Sequence, residues 1–243
     1  MIQKAFALCL SCIILWFSCG SLLIEADTLK DSATSKEYYF NRNESNKIAL
    51  TFDDGPHPRQ TPIILNILEK YGIKATFFVV GINAKNYPDT LKYVAKKGHE
   101  IGNHTFSHKY VKGKDADTIS EDLELCNKTI YEICGKTPTL FRAPGGLMDE
   151  ISVSNEQAFE PYDIIYWSID TMDWDHHSPE SIADMVLSTV RSGDIILMHD
   201  YIGHNSPTAE ALELIIPKLL ERGYVFVTVS ELINENNKSV RTP

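Results

Sequence analysis

The chain has 243 residues, 43% of them hydrophobic, with 23 lysines and arginines against 33 aspartates and glutamates. The resulting charge of −10 argues against nucleic acid or an anionic membrane surface as main partner, because both select basic patches, whereas a neutral polymer is not repelled. Once an apolar leader is set aside, roughly 190 residues remain, enough for one well-buried core and too few for two ordinary domains.

Lys4 precedes an apolar stretch running to about residue 24 that includes Leu8, Leu10, Ile13, Ile14, Leu15, Trp16 and Phe17, the pattern of an export signal. Ile-Glu-Ala at 24–26 is a mediocre cleavage site, and the stretch approaches the ~20 residues that span a bilayer, so residues 1–26 read as a signal peptide or an N-terminal membrane anchor. Lipidation at Cys19 is disfavoured, since Trp16 and Phe17 stand where a lipoprotein signal has Leu and a small residue. Residues 27–46 are polar and aperiodic and read as a linker, 47–236 as the folded domain and 237–243 as a polar tail.

Within the domain the pattern predicts a strand over 47–52, a helix over 61–71, a strand over 74–80, a helix over 88–97 and a strand over 99–103. A helix over 118–134 follows, opened by a capping box of Thr118 and Glu121 and closed by Gly135 and Pro138. Its apolar stripe is Ile119, Leu123, Cys126, Ile130 and Cys134. Eight helical residues put the two sulfurs about 12 Å apart, beyond disulfide reach, so both read as unpaired core thiols. Further strands are predicted over 139–141, 163–169, 194–198 and 224–229, with a weak helix over 149–160 and others after Ser178-Pro179 and Ser206-Pro207. Strands alternating with helices imply parallel pairing with helices outside, as a barrel or a doubly wound sheet, and about seven strands favour a barrel.

Five polar clusters each follow a predicted strand: TFDDG at 51–55, HTFSH at 104–108, RAPGG at 142–146, DTMDW at 170–174 and LMHD at 197–200. In such a barrel these positions share one rim. Asp53 and Asp54 serve one site only where the strand breaks, and Gly55-Pro56 supplies the break; a bare DDGP is as often a solvated turn. His104 and His108, four apart, face one way if the backbone turns helical after its strand, and with Asp54 they make a His, His, Asp metal set with open positions. A free carboxylate can then take a proton from water. Arg142 can fix Asp53 through its planar fork, although alone it reads as a surface arginine. Gly145 and Gly146 can present N–H groups to an oxyanion. Trp174 reads equally as sugar platform or packing. His199, after a buried strand, needs a polar partner; Asp170 is the candidate to orient it and keep it charged as a general acid.

These five motifs, in this order, resemble those of the polysaccharide deacetylases of the NodB-homology group, carbohydrate esterase family 4. The resemblance implies a distorted, incomplete (β/α) barrel and one divalent metal, zinc with cobalt tolerated, in an enzyme that removes acetyl groups from N-acetylated sugars. Carried onto this chain, it makes Asp53 the general base, Asp54, His104 and His108 the ligands, and Arg142 the residue holding Asp53. The Gly145 N–H would bind the oxyanion, His199 would be the acid tuned by Asp170, and Trp174 and Leu197 would shape the acetyl pocket. The family commonly has a larger residue, often tyrosine, where this chain has Gly145; the backbone donor survives that change, whereas the loop rigidity and sugar contacts that the resemblance implies do not carry over with it. The expected substrate is peptidoglycan or a chitin-like polymer, met by an exported monomer that is secreted or anchored at the outer face of a bacterial cytoplasmic membrane, facing the cell wall. An esterase removing O-acetyl groups from xylan is the alternative, and a non-catalytic glycan binder is disfavoured because base, metal set and acid are all present.

Overall fold

In a computed structural model, the structure describes residues 36–41, 45–146, 156–160, 162–175, 177–203 and 206–234. The leader, the 237–243 tail, most of the weak helix expected over 149–160, His176 and His204 therefore lie outside the described residues.

The strands are β1 (Glu37–Tyr38), β2 (Lys47–Asp53), β3 (Thr76–Val79), β4 (Glu100–Asn103), β5 (Leu140–Phe141), β6 (Asp163–Ile165), β7 (Ile169–Asp170), β8 (Ile195–His199) and β9 (Val225–Phe226). They pair in the order β1-β6-β5-β4-β3-β2-β8-β7, with β9 joined to the start of β2, and every ladder is parallel. The sheet curls into an open barrel, as expected. β7 ends that order on one side and β6 stands next to β1 at the other, although only residues 166–168 separate β6 from β7, so the strand expected over 163–169 is split where the barrel fails to close.

Helices α1 (Gln60–Lys70), α2 (Gly81–Asn86), α3 (Pro88–Lys96), α4 (Ala116–Cys134), α5 (Glu156–Phe159), α6 (Pro179–Thr189), α7 (Thr208–Glu221) and α8 (Val229–Ile233) connect the strands. Ser178 caps α6 through the Ser181 N–H, with Pro179 at the first helical position. At α4 the capping box expected of Thr118 and Glu121 is not formed. Asp115 accepts from the Thr118 N–H, and the helix begins two residues earlier; an aspartate cap aligned with the helix dipole displaces the weaker threonine. Gly135, at φ 67°, closes that helix. Cys126 is buried and Cys134 half-buried, and neither forms a disulfide. The last predicted strand shortens to β9 because Thr228 opens α8 with a capping box to Glu231.

The alternation of strand side chains divides the interior. Ile48, Leu50 and Phe52 of β2, Phe77 and Val79 of β3, and Ile196 and Met198 of β8 pack outward against the helices. Ala49, Phe78, Leu140, Ile165 and Ile195 fill the inside. Along the inner face of β2 the sequence Ala49, Thr51, Asp53 becomes progressively polar towards the C-terminal rim, which puts polar chemistry at that end.

The stretch expected to be a linker over 27–46 contributes β1 to the sheet, so the folded domain begins before Lys47. Two paired residues carry no periodicity that a sequence reading can detect.

Gly102 is placed for close packing: a Cβ there would lie 2.5 Å from Phe78 Cδ1. Gly102→Ala is expected to destabilise the fold by about 1–3 kcal/mol, lowering the melting temperature by about 3–10 °C. Calorimetry on the purified protein checks this; an unchanged melting point would show that Phe78 relaxes freely.

Candidate active site

β2 ends in two aspartates with different surroundings. Asp53 is buried and points inward. Its Oδ1 accepts from Arg142 Nη1 at 2.8 Å, while Oδ2 lies 3.8 Å from His104 Nε2, facing the cluster of histidines. Asp54 takes a left-handed φ of 77°, which turns its carboxylate out of the strand's alternation. Its Oδ1 lies 3.3 Å from His104 Nε2 and 2.9 Å from His108 Nε2. Burial works to raise the Asp54 pKa, but the hydrogen bonds and charges of the two histidines override it and hold the carboxyl far below its ordinary range.

The turn after these aspartates is held by Asp200, the last residue of the LMHD cluster. Its Oδ1 accepts from the Gly55 N–H at 3.0 Å and its Oδ2 from the Thr61 hydroxyl at 2.5 Å. Only glycine fits at 55, since a Cβ would lie 2.1 Å from Asp200 Oδ2. Burial, with the charges of Asp54 and Asp53 adding to it, pushes the Asp200 carboxyl up to about 7 against the two hydrogen bonds.

His104 and His108 do converge, but not through a helical turn. The segment between them is a loop with left-handed Thr105 (φ 66°) and His108 (φ 54°). It is fixed by the Thr105 N–H on Asn103 Oδ1, by the His108 N–H on Thr105 Oγ1, and by the Phe106 and Ser107 N–H groups on Asp122 of α4. Backbone bonds satisfied by side chains replace the helix expected from i, i+4 spacing. His104 Nδ1 contacts the Arg142 carbonyl at 2.7 Å, which calls for a proton on Nδ1 and leaves Nε2 free as a ligand. One ligand atom from each of Asp54, His104 and His108 lies within 4.8 Å of the others. Two imidazoles and a carboxylate converging with a fixed tautomer fit a divalent transition metal with room for water or substrate.

Arg142 is completely buried rather than a surface residue. Nε donates to the Ile165 carbonyl (3.1 Å), Nη2 to the Tyr166 carbonyl (3.0 Å), and Nη1 to both Thr51 Oγ1 (2.7 Å) and Asp53 Oδ1 (2.8 Å). The Phe78 ring lies under the guanidinium at 4.2 Å, with Trp167 at 5.6 Å. The contact to Asp53 is therefore through one nitrogen, not the bidentate fork expected. Gly145 follows with φ 64° in a short 3₁₀ turn, Pro144–Gly146.

His199 is the Cα partner of Asp53 on the neighbouring strand, so the two stand on one rung. Its orienting carboxylate is Asp173, and the expectation of Asp170 is corrected. Asp173 Oδ1 lies 2.8 Å from His199 Nδ1, and Oδ2 accepts from the His199 N–H (2.9 Å) and the Thr208 hydroxyl (2.6 Å). The reason is register: Asp170 pairs with Leu197, two residues short of His199. Its carboxylate instead accepts from the Met172 N–H (2.9 Å) and lies 3.4 Å from Trp174 Nε1, shaping the turn through left-handed Met172 that delivers Asp173. Burial opposes charging of His199, yet the bond and charge of Asp173, aided by Asp53 and Asp54, hold its pKa up at about 9. Leu197 is buried two residues before His199 on the same face of β8, and Trp174 stands half-exposed.

Two of the described histidines outside the cluster, His57 and His99, have partners elsewhere. His57 Nδ1 accepts from the Arg59 and Gln60 N–H groups at the start of α1. Buried His99 accepts from the Ala75 N–H, and burial with Lys74 and Lys97 nearby lowers its pKa to about 4.

The segment 41–160 matches the family model "Polysaccharide deacetylase". A Bacillus cereus peptidoglycan-N-acetylglucosamine deacetylase is 42% identical over 79% of this chain and 90% of its own length. The solved Bc1960 peptidoglycan N-acetylglucosamine deacetylase superposes with a TM-score of 0.77 at 34% identity, covering 82% of this chain and 92% of that one. A family 4 acetyl xylan esterase from Clostridium thermocellum, solved with a cobalt ion, gives 0.72 at 36% identity over 77% and 90% of the two chains. The chain therefore belongs to the polysaccharide deacetylases of carbohydrate esterase family 4, a family of hydrolases.

Two measurements probe the geometry. His108→Ala should weaken zinc and cobalt binding in a calorimetric titration by more than about a hundredfold, while unchanged affinity would remove His108 from the ligand set. Asp173→Asn removes the charge that keeps His199 protonated. Activity that needs the charged imidazole is lost as pH rises through about 9 in the wild type, and in the variant the alkaline limb should move acid-ward by at least about one unit. A pH profile of kcat/KM with no such shift would show that Asp173 does not set the charge of His199.

Proposed function

We propose that the protein is a metal-dependent de-N-acetylase of peptidoglycan that hydrolyses the acetamide of N-acetylglucosamine or N-acetylmuramic acid residues and releases acetate. The observation that carries this reading is the placement of Asp53 and His199 on one rung of adjacent strands, each held by its own buried partner, with the Asp54, His104 and His108 cluster beside them. Zinc is the proposed native ion, on the chemistry of the donor set, and cobalt a working substitute, in keeping with the cobalt in the xylan esterase relative.

A divalent cation bound by Asp54, His104 and His108 supplies Lewis-acid polarisation of the acetamide carbonyl and acidifies water. Asp53 takes the proton from the attacking water at Oδ2, because Oδ1 is occupied by Arg142. The Gly145 N–H is the proposed second donor to the developing oxyanion, on a loop that its left-handed backbone shapes. Leu197 and Trp174 bound the space for the acetyl methyl. With Nδ1 engaged by Asp173, His199 delivers its proton from Nε2 to the departing nitrogen as the C–N bond breaks. The products are acetate and a free amine on the sugar. Action at the cell wall follows from this substrate and from the leader-like residues 1–26, read as signal peptide or membrane anchor.

Removal of O-acetyl groups from xylan is a second reading, favoured by the likeness to the acetyl xylan esterase, and the same base and metal set would cleave an ester. Purified peptidoglycan, chitin oligomers and acetylated xylan, each incubated with metal-loaded protein, separate the two. Acetate with new free amines on muropeptides by mass spectrometry is the expected result. Acetate from acetylated xylan alone would overturn the proposal.

The role of His199 has its own signature. An amine must be protonated as it leaves, whereas an activated phenolate leaves unaided. His199→Ala should lower turnover of an acetamide substrate by about 10² to 10⁴-fold and that of an activated aryl acetate far less. Equal losses on both substrates would make it a binding or structural residue.

A further inference from the structure

We propose that residues 36–41 form a strap that positions the general base, acting through Arg142. This rests on the reading of Asp53 as that base. The strap lies N-terminal to nearly all of the segment matched by the family model, 41–160, in a stretch whose composition suggests only a spacer.

The connection runs through one peptide plane. The carbonyl of Ile165 accepts from Arg142 Nε at 3.1 Å, and the N–H of the same peptide unit, on Tyr166, donates to the Tyr38 carbonyl at 2.7 Å. Because a peptide unit is rigid and planar, whatever fixes its N–H also fixes its C=O. The strap thus grips from one side the group that Arg142 uses from the other, and hydrogen bonds in such a chain reinforce one another. The next carbonyl, of Tyr166, also accepts from Arg142 (Nη2, 3.0 Å), and the Tyr166 ring is stacked on Tyr39 with centroids 4.3 Å apart and planes 4° from parallel.

The strap is itself anchored at both ends. The Ile164 N–H donates to the Lys36 carbonyl at 2.7 Å. At the far end Phe40 bridges to Asp194, the Asn41 N–H donates to the Gly193 carbonyl (2.8 Å), and Asn41 Nδ2 donates to the Leu232 carbonyl (2.6 Å). It therefore ties the β6 edge, where the barrel fails to close, to the residues entering β8, the strand that carries His199. Without it β6 is an unsupported edge holding two of the carbonyls on which the guanidinium depends. Lys36, Tyr38 and Tyr39 are positioning residues: Arg142 and Asp53 transmit their effect.

The test uses the zinc-loaded full-length chain with Tyr38→Pro, which removes a ladder N–H from a two-residue strand, and Tyr39→Ala, which removes only the stack. Acetate release, zinc affinity and melting temperature are measured on the same samples, with kcat expressed per folded, zinc-occupied molecule. Tyr38→Pro should lower kcat about tenfold with KM and zinc Kd changed less than about twofold, and Tyr39→Ala should fall between it and the wild type. In an Arg142→Lys background, Tyr38→Pro should cost less than about twofold more, because the route it acts through is already broken. An unchanged kcat in Tyr38→Pro, or a loss that multiplies fully with that of Arg142→Lys, would overturn the strap. Asp53→Asn serves as the reference: if it turns over like wild type, the base assignment fails rather than the strap.

Discussion

The site depends on a buried ion pair. Arg142 is completely enclosed, and desolvating a guanidinium costs several kcal/mol unless its donors find acceptors and its charge a partner. The barrel supplies both: Asp53 and Thr51 from β2 and the Ile165 and Tyr166 carbonyls from the end of β6. Phe78 underlies it, and Gly102 leaves the room that Phe78 needs. The Arg142 carbonyl in turn sets the tautomer of His104. One residue thereby joins five strands, β2, β3, β4, β5 and β6, and links Asp53 to His104. Removing either member of such a pair leaves an uncompensated buried charge, at a cost of about 3–5 kcal/mol.

This arrangement gives the adjacent aspartates separate surroundings. Asp53 is immobilised with one oxygen committed and one left to face the site. Asp54 is turned out by its left-handed backbone towards the histidines, and Asp200 holds the turn that makes this possible. His199 and Asp173 repeat the logic with the opposite charge, since a buried carboxylate keeps an imidazole protonated. Asp53 and His199 are thus each fixed by a buried partner of opposite charge, Arg142 and Asp173.

Much of this was legible in the sequence, because strand alternation and parallel topology send residues after successive strands to one rim. Asp53, Asp54, His104, His108, Arg142 and His199 come together on that argument. Misplaced were features that depend on local register or turn chemistry. Asp170 and Asp173 look equivalent in DTMDW, and only the pairing of Asp170 with Leu197 shows which one reaches His199. Spacing alone could not distinguish a helical turn from a loop at 104–108, where Asn103, Thr105 and Asp122 capture the backbone. The burial of Arg142 and the two-residue strand in the presumed linker leave no periodic trace. Asp200 stood in plain view within LMHD, but its partners are residues far earlier in the chain.

The central claim is that Asp53 performs proton transfer while Asp54 binds metal. Asp53→Asn keeps the size of the side chain and removes its basicity, so bound zinc and acetate release from peptidoglycan should be measured together on one preparation. The account predicts close to full metal occupancy with turnover reduced by about a hundredfold or more. A variant with intact zinc and near wild-type turnover would contradict it.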